Sequence, residues 1–188
     1  MSIIYENFTT GDSGQKLILF PDHADAQTFT AIGNHEVNKV KVKLFKNSNQ
    51  ESYPAGDVKI SIKNTDEDGK PNGEDLISIT VDGTQFETIP GAFVDAEFDS
   101  SISVISGELY AIVVTLLTGW GIYWRLATGG KTTDLYTGGQ YVASSDGENW
   151  VFVVPGGSYL DFMFAVYGPG LGNARTRRIS LRTRYETD

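Results

Sequence analysis

Six aromatic residues gather between positions 120 and 150 of this 188-residue chain: Trp120, Tyr123, Trp124, Tyr136, Tyr141 and Trp150. An exposed Trp or Tyr can stack against the apolar C–H face of a sugar ring while nearby Asp, Asn and Gln side chains read its hydroxyls. Trp120 has the best claim to such a role, because Gly119 and Gly121 place it on a turn. Tyr123 and Tyr136 are the further candidate contacts for a ligand. Trp124 and Trp150 fall within strand patterns and read as core or inter-sheet packing.

The acidic groups offer less. Asp66-Glu67-Asp68-Gly69 opens like a calcium loop, but Lys70 and Pro71 stand where further oxygen ligands belong, and Asp75 is the later carboxylate near the right distance. A hairpin turn is the expectation there. His23, within Asp22-His23-Ala24-Asp25, and His35 are isolated, lack metal-ligand spacing and are expected at the surface. Asp161 enters an otherwise apolar strand and is expected on its wetter side or capping a turn. There is no G-x-S-x-G elbow, P-loop or dinucleotide fingerprint, so no catalytic residue, metal or cofactor is assigned and the expectation is a non-enzyme. An enzyme on this scaffold would most naturally be a glycosidase, with two carboxylates about 5–9 Å apart across a cleft. The absence of cysteine excludes disulfides, thiolate metal sites and cysteine nucleophiles.

Charge is distributed unevenly. Residues 174–188 hold five of the six arginines and two acids, 5 − 2 = +3, whereas residues 1–173 count 10 − 22 = −12, which sums to the chain's −9. Ile179, Leu181 and Thr183 alternate there with Ser180, Arg182 and Arg184, so the segment reads as a basic C-terminal strand or assembly arm. Arg175, Arg177, Arg178, Ile179, Leu181, Arg182 and Arg184 are its expected contact residues, meeting the acidic body of a neighbour. An ordinary solvent-facing final strand is the plainer alternative, and the N-terminal Ile3-Ile4-Tyr5 could pair in the same way. The acidic body weighs against nucleic acid as a partner.

These residues must be held by a folded core, which the 40% hydrophobic content can supply. No apolar run approaches the roughly 20 residues that span a bilayer, so no membrane insertion is expected. The start lacks the pattern of a signal peptide, so synthesis in a cytoplasm is expected and Asn7-Phe8-Thr9 is discounted as a glycosylation site. Lys39 to Lys46 alternates Val40, Val42 and Leu44 with lysines, and Asp57 to Lys63 repeats the pattern, each giving one buried and one wet face. Leu109 to Leu117 is apolar on both faces and should be central. Further strands are expected at 26–32, 76–81, 92–98, 122–127, 150–154 and 159–167, separated by Gly, Pro, Asn and Asp. About ten to twelve short strands without a helical stripe predict an all-β, two-sheet antiparallel β-sandwich, jelly-roll-like. Residues 1–173 form one expected domain, with 168–174 as a hinge to the arm.

The order Ala26-Gln27-Thr28-Phe29-Thr30, Val40-Val42-Leu44, Gly56 to Ile62, Asp68 to Leu76, Gly107 to Val114, Tyr123-Trp124-Arg125, Tyr136 to Gly139, Ser144 to Trp150 and Asp161 to Gly168 resembles jelly-roll-like β-sandwich modules. Such modules recur in tailed-phage and other virion structural proteins and in some bacterial surface proteins. The likeness covers about residues 26–168. It implies a structural or adhesive unit: a phage head or tail accessory or decoration component located in the virion. Its implied partners are further copies of itself, forming a homo-oligomer, or other virion proteins. A carbohydrate-binding or host-adhesion module holding a surface glycan is the alternative.

Overall fold

Alternating side chains produce the strands as expected. In the computed structural model, which describes residues 2–18, 21–47, 54–128, 135–153 and 160–169, seven strands make one antiparallel sheet. They are β1 (Ser2–Phe8), β2 (Asp12–Ile18), β4 (His35–Lys46), β7 (Ala92–Val104), β9 (Ile122–Thr128), β12 (Leu160–Phe162) and β13 (Phe164–Pro169). Six make the other: β3 (Ala24–Thr30), β5 (Asp57–Thr65), β6 (Pro71–Asp82), β8 (Leu109–Leu116), β10 (Tyr141–Ser144) and β11 (Trp150–Phe152). A short 3-10 turn at Gly83–Gln85 is the one helical element among the described residues. The result is an all-β, two-sheet antiparallel sandwich in which most connections cross from one sheet to the other. The arm, residues 174–188 with all seven of its expected contact residues, lies outside the described residues, as do Val154 and Tyr159.

The first sheet runs β1-β13-β4-β9-β12, with β7 on the other side of β4 and β2 on the other side of β9. The second runs β11-β10-β3-β8-β5-β6. On β4, Val40, Val42 and Leu44 are buried between the sheets while Lys39 and Lys41 reach Asp95 and Lys43 reaches Asp12. On β5, Val58, Ile60 and Ile62 point inward, and Lys59 and Lys63 converge on Asp75. Burial pulls the Asp75 carboxyl up, but hydrogen bonding from Lys59 and Ser61 and the charges of Lys59 and Lys63 outweigh it and hold it below its ordinary range. β8 is central, between β3 and β5. Its Tyr110, Ile112, Val114 and Leu116 join the main core, while Ala111 and Val113 pack outward with Ala24, Ala26, Val142 and Trp150 in a second, smaller cluster. Apolarity on both faces of one strand follows from that double cover.

The first sheet branches at Met163. β9 pairs with β4 from Lys46↔Ile122 to Leu44↔Trp124, then parts from it to pair with β12, while β13 pairs with β4. In the gap, the Met163 N–H donates to Arg125 O, and Met163 O accepts from Lys43 N–H and from the Trp124 indole N–H at 3.1 Å. Trp124 is fully buried and stacks on Phe162 at 4.2 Å, which fixes the branch point with about 0.5–1.5 kcal/mol beyond area burial.

Two edges carry irregularities. On β6, Ile77 pairs with Ile62 but Asn72 pairs with Asn64; on β7, Ile102 pairs with Val37 but Glu97 pairs with Lys39. Each of these edge strands therefore bulges away from its neighbour, and the two adjoin at one side of the sandwich.

Candidate functional site

Trp120 is 41% exposed and sits on a turn held backbone to backbone. Its N–H donates to Pro54 O at 2.9 Å, and Ala55 and Gly119 form an isolated bridge. Gly119 has φ +74, and a Cβ there would stand 2.5 Å from Gly56 N. A Cβ on Gly56 would stand 2.2 Å from Thr118 O, so neither position accepts a side chain in this arrangement. The Asp57 N–H donates to Thr118 Oγ1, the Gly83 N–H to Gly56 O and the Asn47 N–H to Gly121 O. Three segments thus converge on the turn and present the indole from a rigid base, which limits the entropy lost when a ligand stacks on it.

The other two aromatic candidates lie elsewhere. Tyr123 is half-buried on the outer face of β9 and stacks on Phe45 at 4.8 Å. Beside it Arg125 lies over the Phe45 ring and donates to Asp12 at 2.6 Å and to Gln15. Tyr136 packs between the sheets, tilted on Phe8 at 5.9 Å and edge-on to Phe164 at 5.1 Å. Burial, with the nearby charges of Glu6 and Asp161, pushes its phenol far above the ordinary range. Tyr123 and Tyr136 therefore occupy opposite faces of the same sheet. Trp124 is buried between the sheets, as its strand pattern implies, whereas Trp150 is buried in the smaller cluster on the outer side of β8.

A buried polar layer joins the two sheets, and local sequence pattern marks little of it. Gln27 of β3 is fully buried; its Oε1 accepts the Phe162 N–H at 2.8 Å and its Nε2 donates to Asp161 Oδ1 at 3.4 Å. Asp161 Oδ2 accepts the Tyr136 N–H. Asp161 is interior, not on a wet face, because donors from the opposite sheet and from the segment before β10 meet it there. Next along β3, Asp25 accepts a 2.6 Å hydrogen bond from the Tyr141 hydroxyl and lies 3.6 Å from His23 Nε2. Burial, then the Asp25 charge and that hydrogen bond, raise the Tyr141 phenol strongly.

Both histidines are buried, against the expectation of surface positions. His35 stacks on Tyr5 at 3.8 Å, with Nδ1 2.8 Å from Gly33 O and Nε2 3.3 Å from Glu6 Oε2. Glu6 Oε1 accepts the Ile32 N–H, and burial raises the Glu6 carboxyl despite that bond and the imidazole. Gly33 O can only accept, so Nδ1 carries a proton. The approach of His35 Nε2 to Glu6 ties β1 to the start of β4.

The Asp66 loop is a hairpin turn: Asp66 Oδ1 accepts the N–H groups of Asp68 and Lys70, and Gly69 takes φ +83. An open cleft of about 550 Å³ lies between this turn and the one joining β7 to β8, lined by Asp66, Glu67, Glu108, Ile105, Leu109 and Tyr110 among others. Asp25 and Asp161 do not line it; both are buried inside the sandwich. Among the described residues no group of three His, Asp or Glu side chains converges as a metal site, and no helix is long and apolar enough to cross a membrane. No known protein-family model and no curated protein sequence matches this chain.

Proposed function

We propose that this chain is a non-catalytic structural protein of a virion, a phage head or tail accessory component that assembles through subunit contacts after synthesis in the host cytoplasm. The observation that carries the reading is the separation of charge between an acidic body of −12 and a terminal segment of +3 with strand-like alternation. The resemblance of residues 26–168 to virion sandwich modules supports the setting. Native mass spectrometry of the full chain beside one ending at Asn173 tests it. A defined oligomer that dissociates on truncation is expected, and monomers in both samples would sink assembly through the arm.

Trp120 favours a second reading, a carbohydrate-binding or host-adhesion role. An indole presented on a rigid, glycine-packed turn suits a sugar ring. A glycan array probed with the wild type and Trp120→Ala decides it: a signal lost only in the variant supports the reading, and identical signals remove it.

A further inference from the structure

One pole of the sandwich is built from segments 31–35, 64–70 and 104–109. The Gly107 N–H donates to Ala31 O, the Ala31 N–H to Glu108 O, the Ser106 N–H to Asn34 Oδ1 and the Thr65 hydroxyl to Leu109 O. β13 ends at the same pole. Gly168 lies against Glu36 O, and the Tyr5 hydroxyl donates to Pro169 O.

This pole combines two kinds of surface. Ile32 and Ile105 are 74% and 59% exposed, and Ile3 and Ile4, opposite Gly168 and Tyr167, are 43% and 50% exposed. Beside them opens the 550 Å³ cleft, with Glu67 and Glu108 exposed at its rim. Among the described residues neither glutamate has a salt-bridge partner, and the nearby Lys70 pairs with Asp68 instead. β1 also pairs on one side only, so its outer edge bears no ladder among the described residues.

A surface with apolar and acidic groups side by side suits an extended segment that alternates apolar and cationic residues. The chain contains one, and it follows directly from this pole: residues 170–173 lead from Pro169 to Ala174-Arg175-Thr176-Arg177-Arg178-Ile179-Ser180-Leu181-Arg182-Thr183-Arg184. We infer that residues 174–188 dock on this pole, their arginines against Glu67 and Glu108 and Ile179 and Leu181 over the exposed isoleucines. Guanidinium–carboxylate contacts supply the orientation, and covering the isoleucines supplies the apolar gain. The inference rests on the same arm as the assembly proposal but not on its passing between copies.

Hydrogen exchange read by mass spectrometry tests it on the full chain, on the full chain with Glu67→Lys and Glu108→Lys, and on the chain ending at Asn173. Both substitutions are at exposed positions, and exchange of the central β8 amides serves as the control for an intact fold. Amides of 31–34 and 105–109 should exchange about tenfold faster in both altered chains. That gap should narrow when salt rises from about 0.05 to 0.5 M, as screening weakens the pairing. Exchange equal in all three chains overturns the docking. Protection lost in the altered chains, with monomers throughout, keeps the docking and removes the assembly proposal. An arm-dependent oligomer with unchanged exchange at this pole does the reverse.

Discussion

Replacing Gln27 by leucine isolates the polar tie between the sheets. The side chains are similar in size and the site is fully buried, so the packing change is small and the loss falls on hydrogen bonds. The Phe162 N–H loses its 2.8 Å acceptor and becomes a buried donor without a partner, which costs about 1–3 kcal/mol. Asp161 loses the Gln27 amide but keeps the Tyr136 N–H, for a further cost of about 1–2 kcal/mol. The expected total is about 2–5 kcal/mol. With a urea slope of about 2–3 kcal/mol per molar, the midpoint should fall by about 1–2 M at unchanged slope. Gln85→Ala, at an exposed position, should move stability by less than about 0.5 kcal/mol. Introducing Asp161→Asn alone and with Gln27→Leu closes a double-mutant cycle whose coupling should exceed about 0.5 kcal/mol. A Gln27→Leu chain within about 0.5 kcal/mol of wild type would refute the argument that this amide bridges the sheets.

Gly119→Ala should lower the melting temperature far more than Gly73→Ala. Both positions have positive φ, worth about 1–2 kcal/mol against alanine, but only at Gly119 does the added Cβ meet backbone. Equal shifts in thermal melts would contradict the packed turn. Burial pulls the Asp12 carboxyl up, but hydrogen bonds from Lys43 and Arg125, then their charges, outweigh it and leave it lowered. Its stabilisation is present above the unfolded value near 3.9 and is lost as pH falls through the folded one. Asp12→Asn should therefore cost about 0.5–1 kcal/mol at pH 7 and progressively less as pH falls below about 3.9 in urea titrations. Glu6 behaves oppositely: its raised carboxyl gives stability below the unfolded value that is lost as pH rises through the folded one. Across it stand His35, the Tyr5 ring stacked on that imidazole, and Tyr136. Glu6→Gln should therefore gain on wild type as pH rises above the unfolded value of about 4.3; no such gain would show that Glu6 is not the group responsible.

Local pattern made the strands legible. The lysine alternation in β4 and β5 and the two apolar faces of β8 each report a single strand's surroundings, and two-sheet architecture follows from having many such strands and no helical stripe. The polar layer was not legible, because its partners are remote: Gln27 meets Asp161 across 134 positions, and His35 meets Glu6 through strand order rather than spacing. Asp161 reads as a wet-face residue from its own strand, and only the opposite sheet makes it interior. Tyr136 reads as an exposed aromatic near a glycine pair, yet Phe8 and Phe164, far from it in sequence, take it inward. The exposed turn position of Trp120 was legible because glycines on both sides of an aromatic are a local signal.

The paired bulges on β6 and β7 have a consequence for crowded surroundings. Another chain laid along that side would find its register broken partway on either strand, so sheets cannot zip together there from copy to copy. A high local concentration of this protein therefore cannot spread by lateral strand addition on that flank. Any contact another chain makes along that flank must rest on side chains rather than on a continuous backbone ladder.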